Sequence, residues 1–289
     1  PVSPGTPGAV NSRYAPNVGP AITEVQHSPV LPAANEPFVV TARVHDPDGI
    51  TALELRYRFD PSPTYTTVNM NDSGINGDAV ANDGIFTATI PAQASGTMVA
   101  FYVSATDGYV PAATTTFPND APARECLVRV GEVQPSGNFP AYRIWMTQNT
   151  LTTWSSRHRL DNSPFDVTFV LDDKRVIYNT KALYAGSPYI APGFSSPAAG
   201  RCGYSIDFPK DDKFLGDDGL VLDWPGGHGG ETTAIQEQMA YWIADQLNLP
   251  YSHRYTIRLH VNGVTDEARH AVFEAVYQPG GSFINTWVP

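Results

Sequence analysis

The sequence predicts a multidomain chain: an N-terminal all-β sandwich of immunoglobulin type, followed by an α+β domain. Three observations carry that expectation. Short β-branched and aromatic runs recur between turn residues over residues 20–131. Only residues 233–247, TAIQEQMAYWIADQL, form a long stretch with a clean helical period. The composition, with 26 Pro, 24 Gly, 14 Tyr and 16% charged residues, is that of β-rich, turn-rich extracellular modules.

The chain begins with an arm. Residues 1–19 are rich in Pro, Gly and Ser and hold almost nothing to bury, as in a linker or extended segment. Strands follow at 37–45, 52–59, 64–70, 85–90, 97–106 and 126–130. The run ALELRYRF alternates Leu53, Leu55 and Tyr57 with Glu54, Arg56 and Arg58, so one face is apolar and the other charged. About seven strands in roughly 110 residues, with no helix among them, point to an antiparallel sandwich of immunoglobulin or fibronectin-III type. Residues 132–140 read as a second, shorter linker and as the boundary to a domain at 141–289.

In that second domain, strands are expected at 142–146, 165–171, 175–178, 181–184, 203–208 and 220–222, with a short helix at 149–160. The Gly-rich loop at 226–230 leads into the long helix. Thr233 and Gln236 fit a capping box, and Asn248 with Pro250 supplies a stop. Ile235, Met239, Trp242, Ile243 and Leu247 form one apolar face, which calls for a sheet to lie on. A strand at 255–261, the turn Asn262-Gly263 and a returning strand at 270–276 complete the domain.

Charge and cysteine content exclude some function classes. The 18 basic against 29 acidic residues give a formal charge of −11, which disfavours a nucleic-acid backbone or an anionic membrane as partner. No apolar run approaches the ~20 residues of a membrane span. Cys126 and Cys202 are too few for a disulfide framework or a zinc site. A single bridge between them outside the cell and two reduced core thiols are both open. The first residue is Pro1, not Met, so a processed or excised segment of a secreted or cell-surface protein is expected.

Two turn clusters are acidic. Asp46 and Asp48 lie in HDPDGI, and Asp72, Asp78 and Asp83 in NDSGINGDAVANDGIF. Their oxygens are candidate Ca²⁺ ligands, although the spacing is not that of an EF-hand and tight turns need the same residues without metal. The histidines show no HExxH spacing, no G-x-S-x-G elbow is present, and GGHGG at 226–230 lacks the P-loop pattern.

The segments RVIYNTKALYAGSPY (175–189), CGYSIDFPKDDKFLG (202–216), IQEQMAYWIADQLNLP (235–250), RLHVNG (258–263) and VFEAV (272–276) together resemble the N-terminal half of a CotH-type domain. That is the spore-coat, atypical kinase-like family, and the resemblance covers about half of the chain. It implies a kinase-like fold in which a strand Lys pairs with a helical Glu to hold ATP phosphates. Glu237 matches the Glu; Arg201 and Lys181 are the candidates for the basic partner. The Mg²⁺-binding and catalytic aspartates would lie beyond residue 289, so residues 1–289 are expected to be non-catalytic. The expected function is that of an extracellular or surface assembly protein that pairs with copies of itself or with other surface proteins. The alternative is the N-terminal part of an atypical protein kinase using ATP and Mg²⁺, and a carbohydrate-binding module is a weaker third.

Overall fold

The computed structural model describes residues 14–158, 161–185, 203–223, 235–264, 272–277 and 287. Strands β1 (Ala21–Ser28), β2 (Phe38–His45) and β5 (Ile85–Ile90) form one antiparallel sheet in the order β1-β2-β5. Strands β3 (Ile50–Asp60), β4 (Thr66–Asn69), β6 (Met98–Asp107) and β7 (Thr114–Phe117) form a second, in the order β4-β3-β6-β7. Strand β8 (Cys126–Arg129) also pairs with β6. Alternation in the sequence sets which side chains point inward. In β2 the buried residues are Phe38, Val40, Ala42 and Val44, and in β3 they are Leu53, Leu55 and Tyr57.

The remaining strands close a barrel. These are β9 (Ala141–Trp145), β10 (Phe165–Leu171), β11 (Arg175–Ala185), β12 (Gly203–Asp207), β13 (Gly219–Asp223), β14 (Arg254–Val261) and β15 (Val272–Tyr277). Their order is β10-β11-β12-β13-β15-β14-β9, and β9 returns to β10. All neighbours are antiparallel except β14 and β9. The turn after β14 has Asn262 and Gly263 at φ 49° and 73°, the left-handed pair that an Asn-Gly turn supplies cheaply. Asn262 also clips the parallel seam: its Nδ2 donates to Met146 O and its Oδ1 accepts from Met146 N, both at 2.9 Å.

Side chains fill the barrel. Tyr142, Phe169, Phe208 and Phe214 meet edge to face or tilted, with ring centroids 5.1–5.5 Å apart. Helix α1 (Gln148–Ser156) seals one part with buried Trp154, which stacks on Phe165. Thr147 caps it by accepting from Thr150 N at 3.1 Å, and Asp60 reaches over from β3 to accept from Gln148 N at 2.6 Å.

The expected fold class is corrected on both counts. The described chain is dominated by β-structure, with fifteen strands against two helices. The first two sheets do not stand apart as an immunoglobulin-type sandwich. Their core runs on into barrel residues Trp145, Val170 and Tyr178. Nor is the second part an α+β domain with a helix covering a sheet face. Its strands bend into a closed ring, so their apolar positions face a common interior and cover one another. Helix α2 (Gln236–Gln246) meets β14 and β15 through polar side chains and buries no residue of its own.

The segment expected to be a linker is held in place. Arg143, fully buried, pairs with Glu132 at 2.9 Å and donates to Val133 O at 3.0 Å and Asp172 O at 3.1 Å. Burial raises the Glu132 carboxyl above its usual range against the pull of Arg143 and Arg129. Residues 1–13 of the expected arm, the Gly-rich loop, Arg201, Cys202, Thr233 and most of the tail at 278–289 lie outside the described residues.

Candidate interaction surface

Helix α2 shows how its sequence is divided between two faces. On the inner side, Glu237 pairs with Arg254 of β14 at 2.6 Å, and Arg254 also pairs with Glu274 of β15 at 2.5 Å. Gln238 Nε2 donates to Glu274 Oε1 at 2.8 Å, and the Arg254 guanidinium lies 4.5 Å from the Tyr241 ring centre. Burial opposes the charge on Arg254, but Tyr241, Glu274 and Glu237 together hold its pKa above the ordinary value. The helix is therefore fastened to the barrel wall by polar contacts.

Fastening by that side turns the apolar side outward. Ile235, Met239, Ile243 and Leu247 stand at intervals of four, one continuous ridge, with Trp242 beside it. These five residues are between 47% and 63% exposed, and Leu249 is 50% exposed. Isolated exposed apolar residues are ordinary; a contiguous set on one helix face makes this a candidate interaction surface.

The other expected site residues are not gathered there. Glu237 has Arg254 as its cation. Lys181 is exposed on β11, opposite Asp166 of β10 and Asp207 of β12, and no ion pair among the described residues joins it to Glu237. Among the acidic turns, Asp46 accepts from Asp48 N at 2.8 Å, and Asp72 accepts from Asp83 N at 3.2 Å and Gly84 N at 2.9 Å. Asp83 accepts from Ile85 N at 2.9 Å, and Asp78 accepts from Gly74 N at 2.5 Å. These carboxylates cap their own loops. No group of three or more His, Cys, Asp or Glu placed to hold a metal occurs among the described residues. Cys126 is buried, and burial pushes its thiol well above the ordinary range, which makes it a poor nucleophile.

Sequence reasoning missed Arg254 and Glu274. The one available signal was Glu274 itself, a lone acid between Phe273 and Ala275 in an apolar strand. A second feature lies where the first sheet meets the barrel. A cleft of about 440 Å³ opens between β1 and β11, lined among others by Glu24, His27, Arg175, Tyr178 and Asp212. Its charged groups pair with neighbours, Arg175 with Asp212 at 2.6 Å and Glu24 with Arg43 at 3.0 Å. His27 Nε2 lies 3.0 Å from Val30 O and must donate to it, so Nδ1 accepts from the Tyr178 hydroxyl at 2.5 Å.

No family model and no curated protein matches the chain. Among solved structures it is similar to a cycloalternan-forming enzyme from Listeria monocytogenes in complex with a pentasaccharide substrate. The TM-score is 0.25 and the identity 7%, over 70% of this chain and 15% of that one. The chain thus spans a small part of that enzyme's length, and a likeness this low carries no argument about fold or function. Among the described residues no helix is long and apolar enough to cross a membrane.

Proposed function

We propose that this chain is a non-catalytic assembly protein of an extracellular or cell-surface structure, with the outer face of α2 as its contact surface. One observation carries the reading: an uncharged apolar ridge, Ile235, Met239, Ile243 and Leu247, on a helix fixed to the barrel by its opposite side. Leaving that ridge in water costs solvation free energy that a partner would recover. The composition, rich in Pro, Gly and Tyr and poor in charged residues, supports the setting. Light scattering and electron microscopy on concentrated protein test it. Particles larger than the single chain are expected, and a monodisperse, inert monomer at every concentration overturns the reading.

A further inference from the structure

We infer that the occupant of the α2 face is α2 of a second copy of this chain, packed about a two-fold axis. This rests on the assembly reading above and names its partner. Three features select a second copy.

The first is the ridge geometry. A two-fold contact requires the same surface to fit itself. Ridges of the i±4n kind on both helices interdigitate at a crossing angle of about −50°, the commonest helix-packing class. The α2 ridge is of that kind from end to end, and its midpoint lies between Met239 and Ile243. A two-fold axis there brings Met239, Trp242 and Ile243 against their own counterparts.

The second is charge. The outward arc, Ile235, Gln236, Met239, Trp242, Ile243, Gln246 and Leu247, holds no ionisable residue. Nothing on it selects a basic or acidic foreign partner, and nothing repels an identical face. Glu237, the nearest acid on the first turn, lies outside that arc and pairs with Arg254 at 2.6 Å, although its side chain is 62% exposed.

The third is area. Ile235, Met239, Trp242, Ile243 and Leu247, each about half exposed or more, offer on the order of 500 Å², and two such faces together give about 1,000 Å² when wholly covered, the size of a weak, transient interface. A contact of that size gives a reversible dimer. Each copy carries a formal charge of −11, so long-range repulsion weakens the dimer at low ionic strength and added salt strengthens it.

Sedimentation velocity on the full chain across the micromolar range, at low and high salt, tests the pairing beside Met239→Glu and Ile243→Glu. Both positions are exposed, so the variants keep the wild-type thermal midpoint. The expected result is a discrete dimer that tightens with salt, with Kd raised at least about tenfold in each variant. Tagged Ile243→Glu is also expected to enter mixed dimers with wild type poorly, because a two-fold contact uses the damaged face from both sides. If the variants assemble like wild type, the contact lies elsewhere, and both the pairing and the α2 contact surface are overturned. If they fail to pair with themselves but are captured by wild type at full affinity, α2 meets a different surface of its partner, so the pairing is overturned and the assembly reading stands. If wild type is monomeric throughout, both are overturned.

Discussion

Acidification is expected to loosen the joint between the first sheet and the barrel through a single histidine. His27 is 4% exposed, and burial lowers its pKa from 6.5 to about 4, only partly offset by its bond to Val30 O. The sign follows from proton counting. Between pH 6.5 and pH 4 the unfolded chain holds a proton on His27 that the folded chain lacks, so stability falls as pH falls through that window. The contribution is fully present above pH 6.5. The whole shift corresponds to about 3 kcal/mol, of which roughly 2.5 kcal/mol is lost by pH 4.5. Urea unfolding of wild type and His27→Gln at pH 7.5 and pH 4.5 isolates it, because carboxylates titrate alike in both proteins. The variant starts less stable and loses about 2.5 kcal/mol less on acidification. Parallel pH profiles would refute the reasoning, since they would mean that His27 is already charged or hydrated in the folded chain.

The same contacts predict three further effects. Arg143→Met leaves the Glu132 carboxylate buried beside Trp145 without its main cation, and is expected to cost about 3–5 kcal/mol in denaturant unfolding. Thr168→Val removes the Oγ1 that accepts from Leu127 N at 3.1 Å across the joint; the orphaned amide costs about 1–3 kcal/mol, read as a lowered thermal midpoint. Under α2, Glu274→Gln is expected to destabilise by about 2–3 kcal/mol, and Glu237→Gln by under about 1 kcal/mol, because Glu274 is buried and Glu237 is 62% exposed. Equal effects of the two would show that Arg254 does not rely chiefly on Glu274.

Local structure was legible because it depends on neighbours in the chain. Alternation in ALELRYRF marked which side chains of β3 turn inward, and Asn262-Gly263 marked a turn whose two residues both have positive φ. The period of residues 235–247 marked a helix and its apolar face. What the face would meet was not legible. The expectation of a covering sheet assumed that the strands stay open, and the pattern of an open half-buried sheet is the same as that of a barrel strand. Arg143 and Arg254 were unremarkable as letters, since their partners Glu132, Asp172 and Glu274 come from the connector, from the turn between β10 and β11, and from another strand.

The sequence by itself determined a β-rich, acidic chain with one amphipathic helix. Composition, alternation and period are sums over local residue properties, and folding does not change them. Tertiary structure alone decided that seven strands close on themselves, that a buried Arg143 fixes the connector, and that α2 is fastened by its polar side. Ring closure satisfies the strands' apolar faces within the barrel, and the Arg254 ion pairs orient the helix. Together they leave its apolar ridge outside, facing water, where a partner can reach it.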